Sequence, residues 1–445
     1  MPATPAASPG AAPALPQVDD PMLVPPPPAL HVLGTWQEAL ATLRRDSTSL
    51  KTAQARIEQA RAQTRLALAS ALPTVNGRGS ATQQLLRGDS NPVAFMGTTV
   101  VPSTTIPNPA FSWNAALSLN VPLLASKAWY DHGTAKDAVE SAALDAKEIE
   151  RQQVAITASA IVSVVTSERL AEVSRVALGS ALSTLNLTKR RAALGAASTV
   201  DVLRVEQEVS DSRAQVVASQ ENLIRAREAL GDALGSAEPW GVTPQIQLDS
   251  LASDARASCT VETTVDRRPD VVAANAAVAI AERNVKSVDY TFVPTIDANS
   301  ALTYWSPRSP INNEHVTWTI GAVLNWNIYD GGLRSGNRGA RRADVELSRQ
   351  RVSDVRRRAQ IEATQALRGV EVANANLLVS TRSREIANET ARLTQVAYLN
   401  GTGTSFDLVD SARRLRAAEL DLAIKEFEVL RAKIAALLSL ATCRV

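Results

Sequence analysis

Residues 111–121 read Phe111-Ser-Trp-Asn-Ala-Ala-Leu-Ser-Leu-Asn-Val121, and residues 317–328 read Thr317-Trp-Thr-Ile-Gly-Ala-Val-Leu-Asn-Trp-Asn-Ile328. In the first run Phe111, Trp113, Ala115, Leu117, Leu119 and Val121 fall on one side; Ser112, Asn114, Ala116, Ser118 and Asn120 fall on the other. In the second, Trp318, Ile320, Ala322, Leu324, Trp326 and Ile328 oppose Thr317, Thr319, Gly321, Val323, Asn325 and Asn327. A side-chain period of two with one apolar face is the signature of a strand. About ten residues is the length of a tilted strand that crosses a bilayer.

The surroundings of the two runs match. Each is preceded by another alternating run, Thr74 to Thr82 and Thr295 to Trp305, and each of those follows a proline, Pro73 and Pro294. The prolines end helical stretches, Trp36 to Ala71 and Pro269 to Val293. Turn-rich segments separate the paired runs, a long one from Gln84 to Ala110 and a short one from Ser306 to His315. After the second run of each half comes a proline-free helical stretch, Ala125 to Leu194 and Gly331 to Asn400. At 1.5 Å per residue these stretches reach about 105 Å each, whereas an ordinary globular helix has about 11 or 12 residues.

Each long helix ends in a similar turn, Gly195-Ala-Ala-Ser-Thr-Val-Asp201 and Gly401-Thr-Gly-Thr-Ser-Phe-Asp407. Glycine supplies the left-handed C-terminal cap. Ser198 or Thr199, and Thr404 or Ser405, are placed to cap the returning helix. The halves therefore read as two copies of one plan: 30–235 the first repeat, 236–266 a connection, 267–440 the second repeat and 441–445 a tail. Residues 1–29, rich in Pro and Ala, read as a disordered or extended lead-in. They lack the charged start and apolar stretch of an export signal, and no cysteine near the start offers a lipid anchor. No run of 18 consecutive apolar residues occurs, which argues against a transmembrane helix.

The plan dictates an assembly. Four strands with one apolar face cannot sit alone in lipid, because their edges would leave backbone groups unpaired. They must close with other copies into a barrel. Aromatic residues make up only 4% of the chain, so their clustering near the strands carries weight. Trp113, Trp129, Tyr130, Tyr304, Trp305, Trp318, Trp326 and Tyr329 are expected to form interfacial girdles; a β-sandwich core is the alternative. The returning helix (Ser198 to Ala233) and the entering one (Trp36 to Ala71) together match one long helix in length, so that stacked end to end they would line it.

Composition excludes other classes. Lys and Arg number 47 against 45 Asp and Glu, for a formal net charge of +2, with no concentrated basic stripe for nucleic acid. The three histidines, His31, His132 and His315, are scattered and belong to no metal or nucleophile motif. No cofactor and no enzyme activity are expected. Cys259 and Cys443, the two cysteines, are either unrelated buried thiols or, in an oxidising compartment, partners. A long helical scaffold outside the membrane is the remaining structural alternative.

Taken in order and twice over, these pieces resemble the TolC-like outer membrane efflux proteins, from about Trp36 to Leu440. The residues that carry the resemblance are Trp36-Gln-Glu-Ala-Leu40, Arg267-Arg-Pro-Asp270, Phe292-Val-Pro294, Tyr329-Asp-Gly-Gly332 and the two Gly-to-Asp turns. The resemblance implies an α+β membrane protein with an internal two-fold repeat. It implies a homotrimer whose 12-stranded β-barrel, four strands per protomer, is continuous with a long periplasmic α-helical barrel. It also implies an equatorial region gathering about Glu238 to Asp266 and the segment after Leu440, where Cys259 and Cys443 would be neighbours. The implied location is the outer membrane of a Gram-negative bacterium, in contact with its lipid. The implied partners are a periplasmic adaptor and an inner-membrane pump. The cargo would be small molecules in multidrug efflux or, alternatively, proteins in type I secretion.

Within that family the turns Gly195, Thr199, Val200, Asp201 and Leu203, with Gly401, Ser405, Phe406, Asp407 and Val409, correspond to the adaptor-docking end. Helix-hairpin chemistry alone would also explain their Gly and Asp. Some members carry an acidic ring before the second turn. Here that stretch holds Glu385, Glu389 and Arg392, a candidate gate in which the arginine departs from the acidic pattern.

Overall fold

The computed structural model describes residues 18–85, 93–96, 99–102, 111–243, 259–261, 264–308, 314–439 and 441–443. The chain opens with a 3-10 turn (Pro21–Leu23), β1 (His31–Leu33), α1 (Trp36–Asp46), α2 (Thr48–Ala69) and β2 (Thr74–Gln83). A short pair, β3 (Val93–Met96) and β4 (Thr99–Pro102), precedes β5 (Phe111–Leu124), α3 (Ser126–Ala193) and α4 (Thr199–Leu234). Next come β6 (Trp240–Val242), β7 (Cys259–Val261), α5 (Pro269–Asp289), β8 (Thr295–Ser306) and β9 (Val316–Asn325). The chain closes with α6 (Leu333–Leu399), α7 (Ser405–Ser439) and β10 (Ala441–Cys443).

These elements divide into two compact units. One comprises Arg56–Ala143 and Ala274–Val352, the other Met1–Ala55, Leu144–Ala273 and Ser353–Val445. The first is organised around an antiparallel sheet in the order β2-β5-β8-β9. Its register places Leu117 opposite Gly77 and Leu302, and Leu302 opposite Trp318. Because side chains alternate, one face carries Val75, Trp113, Leu117, Leu119, Leu302, Tyr304, Trp318, Ile320 and Leu324. The other face carries Asn76, Arg78, Ser80, Asn114, Ser118, Asn299, Thr303, Thr317 and Thr319. The ladder of β5 and β8 shifts register between Pro122 and Leu124, where proline has no N–H to contribute. Among the described residues, β2 and β9 have no strand on their outer sides.

The second unit packs helices around Leu33, Trp36, Leu43, Val154, Ile161, Leu230, Leu234, Phe427, Leu430 and Leu438. Trp36, 1% exposed, is anchored where α1 begins. The Thr35 hydroxyl caps that helix by accepting from the Glu38 amide at 3.1 Å, which ties the start of α1 to the core. A smaller cluster holds Leu178, Leu182, Val209 and Val216. Two small ladders complete the unit: β1 runs parallel to β6, and β7 antiparallel to β10.

Several expectations need correction. The entering helix is two helices, broken at Ser47 (φ −57°, ψ 118°). The expected turn-rich segment 84–110 contains the β3–β4 pair. Strand β9 starts at Val316 and ends at Asn325, so Trp326 and Ile328 lie past it. Of the expected lead-in 1–29, residues 1–17 lie outside the described residues; the remainder is docked on the second unit. Arg213 pairs with Asp20 at 2.8 Å, Arg175 donates to the Leu23 carbonyl at 3.0 Å, and Arg227 donates to the Pro27 carbonyl at 2.8 Å. Val18, Met22 and Leu23 pack on the smaller cluster. Partners this far away in sequence leave no local trace in a Pro- and Ala-rich segment. Finally, α3 does contain an 18-residue window apolar enough by length and composition to cross a membrane. Its Val154, Ala158, Ile161, Val162 and Val164 belong to the core, the role such a helix has in any packed helical layer.

Candidate functional site

Three places in the chain are candidates for function: the two helix turns, the ion pairs that join their helices, and the exposed apolar sheet face.

At the first turn, the Gly195 amide donates to the Ala192 carbonyl at 3.0 Å and the Ala196 amide to the Arg191 carbonyl at 2.8 Å. At the second, Gly401 donates to Tyr398 at 3.2 Å and Thr402 to Ala397 at 3.0 Å. Both are Schellman motifs, which require a left-handed residue. Gly195 (φ +76°) and Gly401 (φ +79°) supply it. The returning helices are capped reciprocally. Ser198 and Asp201 form a capping box on α4. On α7 the Asp407 amide donates to the Thr404 hydroxyl at 3.2 Å, and that hydroxyl donates to the Asp407 carboxylate at 2.6 Å. Ser198 and Thr404 are thus the caps. Thr199, Val200, Leu203 and Phe406 are exposed, Val409 is half-buried, and Ser405 is buried.

The turns are joined side chain to side chain. The Ser405 hydroxyl donates to the Asp201 carboxylate. This bond, followed by those from the Ser198 amide and hydroxyl, holds the Asp201 carboxyl below the usual carboxylate range. Arg191 donates to the Tyr398 carbonyl at 2.6 Å, and its guanidinium lies 4.4 Å from the centre of the Tyr398 ring. Further along, Glu208, 4% exposed, accepts from Arg413 and, at 2.5 Å, from Arg416. Arg413 also reaches Asp211 at 2.7 Å. A carboxylate this buried is tolerated because two guanidiniums satisfy it.

Glu208, Arg413, Arg416, Arg191 and Tyr398 were not singled out from the sequence. One signal was available: Glu208 sits on the stripe Val205, Val209, Ser212 and Val216 that α4 buries. A carboxylate on an apolar stripe needs a partner.

The candidate gate residues Glu385, Glu389 and Arg392 are exposed on α6. Arg392 pairs with Glu389 at 2.7 Å and Arg382 with Glu385 at 2.9 Å, both within one helix turn. The hydrogen bond from Arg392 lowers the Glu389 pKa.

A separate, structural cluster accounts for Arg268 and Asp270 of the Arg267-Arg-Pro-Asp270 motif. Arg268, 4% exposed, donates to the Ser439 carbonyl at 3.1 Å, pairs with Asp270 at 3.0 Å and with Glu362 at 2.6 Å. Arg151, 6% exposed, donates to the Leu438 carbonyl at 3.0 Å while paired to Glu148 at 2.7 Å. Two buried arginines therefore satisfy the last carbonyls of α7, at the negative end of its dipole. Burial raises the Asp270 pKa despite its contact with Arg268.

On the sheet, Trp113 and Tyr304 are in contact (ring centroids 5.0 Å apart), next to Trp318, whose indole N–H donates to the Ser300 hydroxyl at 3.0 Å. Trp326 and Tyr329 are exposed beyond the other end of β9. Two of the expected girdle residues lie elsewhere. Trp305 pairs in register with Asn114 and so stands on the polar face. Tyr130 packs against Tyr290 and beneath the Arg283 guanidinium. Trp129, its neighbour, is exposed.

Comparison with known proteins gives a consistent answer. The family described as "Outer membrane efflux protein" matches residues 39–236 and 260–440. Nodulation protein T of Rhizobium leguminosarum bv. trifolii is 27% identical over 391 residues, covering 83% of this chain and 77% of that protein. The pyoverdine export outer membrane protein OpmQ of Pseudomonas aeruginosa is 25% identical over 386 residues, covering 84% and 78%. A solved structure of CusC shares the fold with a TM-score of 0.77 at 17% identity, covering 95% of this chain and 99% of that one. With an exposed apolar sheet face, two 67- and 68-residue helices and a matched pair of helix turns, the chain belongs to the outer membrane efflux protein family, channel proteins of the outer membrane that extend into the periplasm.

Proposed function

We propose that three copies of this chain close their sheets into one 12-stranded barrel and form a passive exit duct for small molecules. The observation that carries the reading is the sheet itself. Its contiguous face of Leu117, Leu302, Ile320 and Leu324 is exposed, and both outer strands lack a partner among the described residues. Such a face is unstable in water, and such edges are unstable in lipid; lateral closure in a membrane resolves both. Trp113, Tyr304 and Trp318 toward one end, and Trp326 and Tyr329 toward the other, supply aromatic belts. The polar face, with Asn76, Ser118, Asn299 and Thr319, then lines water. The matched order of elements and the two-part family match support an internal two-fold repeat.

In this reading the long helices build the periplasmic barrel, and the two turns receive a periplasmic adaptor that couples the duct to an inner-membrane pump. Exposed Leu194, Val200, Leu203 and Phe406 at the turns support a docking surface. At the entrance, Glu385 and Glu389 each have an arginine three residues away. This supports a gate with little net negative charge in place of an acidic ring. The protein performs no chemistry of its own.

Export by the pyoverdine relative supports small-molecule efflux over type I protein secretion. The test is to delete the gene and compare the cell's tolerance of toxic small molecules with its secreted proteins. Lost tolerance with an unchanged set of secreted proteins is expected. An intact tolerance with a missing secreted protein would favour the secretion reading.

A further inference from the structure

The chain has two cysteines, and the fold sets them opposite each other. Strand β7 pairs antiparallel with β10, and Cys443 is the register partner of Cys259. Residues directly opposite in an antiparallel ladder have Cα atoms about 4.5 or 5.5 Å apart, inside the window of about 4.4–6.8 Å that a disulfide spans. The two positions are 184 residues apart in sequence, and nothing local brings them together. The pairing is made by the ends of the second half: β7 lies just before α5, and β10 directly follows α7. Beside it, Arg268 and Arg151 hold the Ser439 and Leu438 carbonyls, so the chain enters β10 from a fixed point.

We propose that Cys259 and Cys443 form an intrachain disulfide that closes the whole second half, from α5 through α7, into a covalent ring. The protein extends into the periplasm, a compartment where disulfides form and persist. The bond forms by exchange: one thiolate attacks the disulfide of an exported thiol-oxidising protein, and the second thiolate displaces that protein from the mixed disulfide. The two thiols give up two protons and two electrons, one S–S bond forms, and the oxidant leaves as a dithiol. The staple pins β10, a three-residue strand in a two-stranded ladder with β7, which backbone pairing alone holds only marginally. It thereby keeps the Arg268 and Arg151 clamp in register with the end of α7.

The test uses full-length protein taken from outer membranes. Thiols are trapped in acid, alkylated before and after reduction, and the peptides mapped by mass. The expected result is no alkylation before reduction, two alkylated cysteines after it, and one intrachain peptide pair joining Cys259 to Cys443. Full alkylation of both cysteines without reductant would overturn the proposal, and so would cross-links between chains. Function of the ring is read separately, by exposure of the C-terminal residues to a carboxypeptidase. Reduced wild type and the Cys259→Ala/Cys443→Ala double variant are expected to lose these residues at least several times faster than oxidised wild type. Equal rates in all three would refute the pinning role.

Discussion

Arg268 shows how much one side chain can organise. It is buried, satisfies the Ser439 carbonyl and holds two carboxylates. Removing it takes the guanidinium from the Ser439 carbonyl and leaves half-buried Asp270 without the cation it pairs with. Such losses cost about 3 kcal/mol; one partner, Glu362, is half-exposed and recovers part of that in water. Arg268→Ala is therefore expected to lower the thermal midpoint clearly, and exposed Arg267→Ala much less. Equal shifts would contradict the clamp. Asp201 makes a second prediction at this scale. Its folded pKa lies below the ordinary value, chiefly through the Ser405 hydroxyl and then Ser198. A depressed carboxylate stabilises fully above the unfolded value of about 3.9, and that stabilisation disappears as pH falls through the lower folded value. The thermal midpoint of Asp201→Asn should therefore lie below wild type at neutral pH and approach it as pH falls below about 4. A constant gap between them would remove the electrostatic part of the account.

At the scale of elements, the strands and long helices were legible because each repeats one physical pattern many times. Ten alternations fix β5, and about seventy residues without proline leave helix as the remaining reading. What failed was of another kind. Tyr304 and Trp305 are adjacent aromatics, so they must point to opposite faces; clustering gives their neighbourhood, and only the register with Ala115 and Asn114 gives their face. The link between α4 and α7 through Glu208, and the docking of Asp20 on Arg213, join residues about 200 apart in sequence. No periodicity encodes such a partner. The face assignment itself is testable. Leu117→Arg places a charge on the apolar face, where the cost at mid-bilayer is about 2–4 kcal/mol. It is expected to abolish assembly in the outer membrane, measured by heat-modifiable migration on gels. Ser118→Arg, one residue along on the polar face, should assemble and alter conductance. Reversed outcomes would mean that the faces are reversed.

At the scale of the molecule, the two units make different demands. One buries an ordinary core around Trp36, Ile161 and Phe427. The other leaves its most apolar sheet face exposed, and among the described residues the outer sides of β2 and β9 carry no strand. Family membership fits this, and the proposed duct would close those edges between copies. The most direct measurement is the mass of the detergent-solubilised protein together with its current in a planar bilayer. A trimer that forms stable, weakly ion-selective pores is predicted. A monomer, or a trimer that passes no current under any membrane potential or pH, would contradict the account.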